Sequence, residues 1–541
     1  MKKCLALLLA LTLCASLLSG CSGGSLDLSW FTSQFTGETA GEAPEEATEP
    51  DESEKKPEAT AVVTEVFSSL SAFGLAYQKS YGVHPYNCES LNNRCILSFL
   101  YEPLFVVTSD SFEAVPVLAS GYEVSEDGLT TTIHLRRGIT FCDGSALTAQ
   151  DVCYSLEASR NTVYYGSRLR RVAAMEASDV DTLTLTTDTA YECLPLLLDI
   201  PIIKDGTSGE AVPPGTGPYT MEGDTRLVRY SGWWQSAAPI VDFDEINLTS
   251  VETTAEVRDN FEYENVNMVL TDPNSAAFAG FHNDYELWDE RSPIMQYIGY
   301  NITSKVFSNY GLRSAITYAI DREHIATDIM GGFAQAAVLP CVPQAPFYDV
   351  KLANTYSYSL TNFQKQLEIA SVEDMDHDGT LDLYVTSLGY AIPVSGTMIV
   401  CSSSYQRVEA ATEVVNTLNA LGFKLTLKSM ELNEYRQALQ NGNFDLYYGE
   451  IRLSNNFDLS PFFSVYGSMC YGGLDDSVML NLCNQALANN GNSYNLYKRL
   501  CERGYITPVL FKNLALYTTR GSIAHPTDYV DWFLIPPEAN A

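Results

Sequence analysis

The chain has 541 residues, 46% of them apolar and 18% charged, which at about 150 residues per domain is enough for roughly three domains. Asp and Glu outnumber Lys and Arg by 67 to 32, for a net charge of −35. Such a chain repels phosphate backbones and anionic head groups, so nucleic-acid binding is excluded, and the acidity is expected to serve solubility at a bacterial surface.

Met1-Lys2-Lys3 is a short basic region, and the apolar run from Leu5 to Leu18 is too short for a comfortable membrane span but right for a signal-peptide core. The run ends in Leu18-Ser19-Gly20-Cys21, which resembles the bacterial lipobox, where small residues precede a Cys whose thiol takes a diacylglyceryl group. Residues 1–21 are therefore expected to be a lipoprotein signal peptide and Cys21 the lipidation site. Two or three acyl chains on one Cys suffice for stable anchoring, and the body is expected at the extracellular face of the cell membrane. Residues 22–60 hold ten acidic and two basic side chains with few apolar ones and read as a disordered acidic linker. As a flexible coil the linker spans about 35 Å.

Thirteen cysteines are present, ten of them beyond Cys21. None forms a C-x-x-C pair, so no zinc site is read, and a body this large needs no disulfide framework. Cys88 and Cys95 are close enough in sequence to bridge; the others read as buried thiols. The six His are scattered and no H-E-x-x-H occurs.

In chain order, Tyr122–Ser125 and Thr131–Arg136 flank Asp127-Gly128, a hairpin signal. Thr148-Ala149-Gln150-Asp151 is a capping box that starts a helix near Ala149, and Thr182–Thr186 alternates like a strand. Val408, Ala411, Val415, Leu418 and Leu421 mark a helix stopped by Gly422 before the strand Lys424–Lys428. The pattern is α/β without internal repeats.

Several blocks carry a family resemblance. Tyr101-Glu102-Pro103-Leu104-Phe105, Pro116-Val117-Leu118-Ala119, Tyr122 to Leu129, His134 to Gly144 and Leu147 to Val152 follow one another as in the signature of extracellular solute-binding proteins of ABC importers for peptides and nickel. Gly215-Thr216-Gly217-Pro218-Tyr219, Gly299-Tyr300-Asn301 and Leu312 to Arg322 resemble that family's later blocks. Most of these residues are expected to set turns and fold rather than touch ligand. No Gly-Lys-Ser/Thr follows residues 215–219, so they are not a phosphate loop.

The resemblance implies a two-lobed periplasmic-binding-protein-like fold of type II, in its large three-domain version, with a ligand cleft between lobes that close by hinge motion. Carried over, 61–90, 177–303 and 491–541 form the core domain of lobe I, 91–176 its accessory domain and 304–490 lobe II. In oligopeptide-binding relatives two backbone segments pair with an extended peptide; here they correspond to Glu89-Ser90-Leu91 and Gly449-Glu450-Ile451-Arg452. The Asp that holds the peptide ammonium there has no counterpart in Leu453-Ser454-Asn455-Asn456-Phe457-Asp458, which leaves Glu450 or Asp458 as stand-ins and Arg452 as a partner for a carboxylate. Among the 33 Tyr, Tyr297 and Tyr300, beside Asn301, are further cleft candidates.

Asp374, Asp376, Asp378 and Asp382 occupy the acidic positions of an EF-hand-type calcium loop around Gly379, but the twelfth position is Val385, which lacks the bidentate carboxylate. Calcium at this loop, or a polar turn before the strand Leu381–Thr386, are both open; no other cofactor is expected. The chain is thus expected to be a monomeric, non-enzymatic receptor for a peptide or peptide-like solute, delivering it to an ABC permease with its ATPase subunits. Nickel complexes, sugars, or sensing of a peptide signal are the alternatives within the class. A carboxylate-pair hydrolase is disfavoured, since no G-x-S-x-G or zincin motif occurs.

Overall fold

The computed structural model describes residues 70–236, 238–275, 280–488, 493–523, 525–532 and 534–535, all in the unit Thr64–Ala541. The expected signal peptide, Cys21 and the acidic linker lie outside the described residues.

The strands in chain order are β1 Phe73–Tyr77, β2 Phe105–Val107, β3 Ala114–Pro116, β4 Ala119–Val124, β5 Thr130–Leu135, β6 Val172–Asp179, β7 Thr182–Thr187, β8 Tyr219–Glu222, β9 Arg226–Arg229 and β10 Glu245–Ser250. They continue with β11 Met268–Thr271, β12 Tyr285–Tyr300, β13 Ala334–Ala336, β14 Val372–Glu373, β15 Asp382–Val385, β16 Tyr390–Pro393, β17 Ser395–Cys401, β18 Lys424–Met430, β19 Leu446–Arg452 and β20 Ile506–Thr519. The largest sheet runs β18-β17-β19-β12-β20-β11-β1-β10-β9-β8, with β13 added on β20. β12 and β20, of 16 and 14 residues, pair along most of their length and join its two halves. Their register shifts twice, between Arg291 and Ile294 and between Gln296 and Tyr297. Such bulges bend the strand and re-aim its side chains.

Two principal hydrophobic cores flank this crossing. One gathers Tyr297, Ile298, Tyr300, Leu312, Ile316, Ile399, Val400, Tyr447 and Tyr448; the other gathers Phe73, Leu75, Ile96, Phe99, Leu100, Tyr101, Ile133 and Leu183. This is the mixed α/β, two-lobed architecture expected. In the first core each of two tyrosine rings packs over a cross-strand glycine, Tyr297 over Gly449 and Tyr447 over Gly299, and their hydroxyls lie 3.3 Å apart.

The local readings correspond to elements. β4 and β5 form the hairpin around Gly128, whose φ of 70° needs glycine. Thr148 and Asp151 make both bonds of the capping box on the helix Ala149–Ser159. The later helix is Tyr405–Ala420, followed by β18. The sheet β4-β5-β7-β6 extends to Thr187, past the domain boundary drawn at 176, because that boundary falls inside β6 and β7 pairs with both β5 and β6. All ten described cysteines are free, so Cys88 and Cys95 form no bridge.

The Gly215–Tyr219 turn supports the helix Leu91–Leu100, the element that positions the site. Gly217 N–H donates to Leu100 O at 3.1 Å, satisfying a carbonyl at the helix end, and the Tyr101 hydroxyl donates to Pro213 O. A Cβ on Gly215 would stand 2.1 Å from Leu100 O and 2.6 Å from the Tyr101 ring. Gly215→Ala is therefore expected to cost about 1–3 kcal/mol, measured as a lower urea midpoint for the folded body.

Candidate functional site

The helix Leu91–Leu100 buries Cys95, Ile96, Leu97, Phe99 and Leu100 and turns its N-terminal part toward a cavity of about 550 Å³. Tyr86 to Glu89, Leu91, Arg94, Leu97 and Ser98 form one wall, and Val163, Tyr164 and Tyr165, from the turns after the helix Ala149–Ser159, a second. Leu270 and Asp272 of β11 and its continuation, Ile294 of β12, Glu450 and Arg452 of β19, and Lys512 and Leu514 of β20 form the wall opposite, with Asp531 and Trp532 from the C-terminal segment. Ile294 pairs with both Arg452 and Lys512 at the β12 register shift, so the bulge sets this wall.

The charges fall into groups. Lys512 Nζ lies 2.5 Å from Asp272 and 3.2 Å from Glu450, and Glu450 also faces Arg407 at 3.5 Å and accepts from Gln296 Nε2 at 2.8 Å. Burial opposes ionisation of Glu450, but Lys512 and Arg407 outweigh it and hold the carboxyl below its ordinary value. Around the Tyr164 ring sit three guanidinium groups: Arg94 at 3.9 Å from its centroid, Arg168 at 5.5 Å and Arg452 at 5.7 Å. Arg168 pairs with Asp199 and Arg452 with Asp531, which also accepts from the Tyr164 hydroxyl at 3.2 Å.

Several expected site residues stand elsewhere or are otherwise engaged. Tyr297 and Tyr300 are fully buried in a hydrophobic core and do not line this cavity, since their rings fill the space between sheet and helices. Asn301 donates to Gly442 O and Phe444 O, tying a loop to the end of β12. Ser90 caps the helix Leu91–Leu100, its hydroxyl accepting from Asn93 N–H, and Gly449 lies beneath the Tyr297 ring. Asp458 accepts from Arg170 at 2.8 Å and from Ser460 N–H at 2.8 Å, away from the cavity. Glu89, Leu91, Glu450 and Arg452 do line it. Ile451 is half-buried between them. β19 pairs with β12 along its length but with β17 only over Leu446–Tyr448, so among the described residues the second backbone edge of Gly449–Arg452 has no strand partner.

No sequence motif marks Arg94, Tyr164, Lys512 or Asp531 as cavity residues. A signal existed for one wall: Arg160, Arg168, Arg170 and Arg171 crowd around Tyr164-Tyr165 in a chain of strongly negative charge. Separately, Asp374, Asp376 and Asp382 bring carboxylate oxygens within 4.8 Å of one another, while Asp378 Oδ1 accepts from Thr380 N–H at 2.7 Å and Val385 ends β15.

Residues 113–471 match the model of the bacterial extracellular solute-binding proteins, family 5. The chain belongs to that family. It is 28% identical over 293 residues to the glutathione-binding protein GsiB of Salmonella choleraesuis (strain SC-B67), covering 49% of this chain and 55% of GsiB, so the match spans about half of each. Two solved structures share the fold. The oligopeptide-binding protein AppA of Bacillus subtilis, in complex with a nonapeptide, has a TM-score of 0.57 at 17% identity, covering 83% of this chain and 94% of AppA. NikZ of Campylobacter jejuni, in complex with Ni(L-His), has a TM-score of 0.59 at 16% identity with the same coverage.

In this family 5 protein, burial opposes ionisation of Asp531, but Arg452, Arg94 and Arg168 outweigh it and hold the carboxyl below its ordinary value of about 4. The stability it contributes is complete above about pH 4 and is lost as pH falls through the lowered folded value. Thermal melts from about pH 5 down to about pH 2 are expected to lose more stability for the wild type than for Asp531→Asn, which cannot ionise.

Proposed function

We propose that the chain is the solute-capturing subunit of an ABC importer, anchored through lipid on Cys21 at the extracellular face of the bacterial membrane. It takes a peptide or peptide-like solute into the cavity and hands it to a permease with its ATPase subunits, as a monomer and without chemistry of its own. The observation that carries the peptide reading is the backbone edge of Gly449–Arg452, which has no strand partner among the described residues and whose Glu450 and Arg452 line a cavity of about 550 Å³. An extended peptide adds to such an edge through main-chain bonds, which are indifferent to side chains and suit a receptor of many sequences. Glu89 and Leu91 on the helix wall, and Glu450, Ile451 and Arg452 on the strand wall, are the proposed ligand contacts. The glutathione-binding relatives and the nonapeptide complex of AppA support this reading, whereas the nickel complex of NikZ supports the alternative of a metal chelate.

Native mass spectrometry of the full-length protein extracted from membranes, followed by denaturation, tests the reading. A retained mixture of short peptides is the expected result; a metal chelate or a sugar would replace the peptide assignment. The Cys21→Ala variant is expected to leave the membrane fraction for the soluble one.

A second reading concerns the loop at Asp374, whose three converging carboxylates favour calcium. With the twelfth-position carboxylate missing, affinity is expected in the weak range of about 10⁻⁴–10⁻³ M. Millimolar calcium should then raise the Tm of the wild type and leave that of Asp376→Asn unchanged.

A further inference from the structure

Most charges at and behind the cavity wall are matched in close ion pairs. Lys512 and Arg407 answer Glu450 and Asp272, Arg168 answers Asp199, and Arg452 answers Asp531. Two groups remain. Glu89 is exposed at the rim, and Arg94 is half-buried with its guanidinium over the Tyr164 ring. Among the described residues no carboxylate, carbonyl or hydroxyl accepts from the Arg94 side chain, although a guanidinium offers five N–H donors. Stacking on Tyr164 occupies one face of the guanidinium plane and leaves its donor edge without a protein acceptor.

The helix Leu91–Leu100 adds to this. Its first residue, Leu91, and Glu89 just before its N-cap line the same cavity, so the positive end of the helix dipole lies at the same wall. Conversely, the wall has no spare anion in its interior for a ligand ammonium, because Glu450, Asp272 and Asp531 are each held by a cation.

Resting on the receptor reading above, we propose that Arg94 anchors a carboxylate of the captured solute, so that the cavity selects carboxylate-bearing peptides or peptide-like molecules through their acid end. The planar fork of Arg matches a carboxylate edge-on. A dianionic phosphate would leave a second negative charge facing the Glu89, Asp272, Glu450 and Asp531 carboxylates of the same wall.

The test offers full-length protein, stripped of retained solute, an equimolar mixture of reduced glutathione, trialanine, trialanine amide and phosphoserine, with retained species identified by native mass spectrometry. Wild type is expected to retain glutathione or trialanine and to discriminate against the amide by about ten- to a hundredfold. Arg94→Gln, which gives up the stack on Tyr164 and the attraction to Asp531, is expected to lower the Tm while the body stays folded and to lose that discrimination, with Arg94→Lys restoring part of it. Retention of the amide as well as the acid, an unchanged preference in Arg94→Gln, or a preference for phosphoserine would overturn the Arg94 assignment and leave the receptor reading standing. Retention of no component by any variant counts against the receptor reading itself, and the assignment falls with it.

Discussion

The pairing of β12 with β20 is the constraint on which the rest depends. Two strands of 16 and 14 residues run through the middle of the largest sheet, so each half of that sheet is built outward from the same two-stranded ribbon. An uninterrupted register would carry the inward and outward alternation unchanged from one end to the other. The shift between Arg291 and Ile294 breaks that alternation, and it is there that Ile294, Arg452 and Lys512 come into register at the cavity wall. Ser292 secures the irregularity with a bond of 2.6 Å to Lys512 O. The bulge is therefore a means of opening a polar site within an otherwise apolar sheet.

Polar residues at such a crossing are costly unless compensated, and the protein compensates them by ion-pair groups rather than by water exposure. Lys512 is almost fully buried and shared by two carboxylates; Arg168 and Asp199 are buried against each other. Removing one member of such a pair leaves a buried charge alone, which is why these residues act together rather than as independent ligand contacts. The aromatic faces of Tyr164 and Tyr165 complete the arrangement by covering the guanidinium of Arg94 and by adding to the ion pair that Arg168 makes with Asp199.

The distinction between ligand contacts and fold determinants follows from the same packing. Tyr297 and Tyr300 sit close to the crossing in sequence yet belong wholly to a hydrophobic core, since Gly449 and Gly299 leave room for aromatic rings directly above the backbone. Asp458 lies near Arg452 in sequence yet serves a contact with Arg170 and accepts from Ser460 N–H. The cavity instead draws on Arg94, Tyr164, Lys512 and Asp531, four residues from four distant stretches of chain.

Local chemistry was legible in the sequence alone. Turn glycines, the Thr148 capping box, the Gly422 helix stop and the alternation of β7 are short-range patterns whose physics is complete within a few residues. The family blocks, read in order, carried the two-lobed fold, and the segments at Glu89 and Glu450 carried part of the cavity wall. What only the tertiary structure decided is which charges meet. Whether Glu450 is a free anion or the partner of Lys512, and whether Arg94 finds an acceptor, depend on pairings between residues tens to hundreds of positions apart. Those pairings are fixed by strand register and by the bulge on β12, and neither leaves a mark in the residues whose charges it brings together.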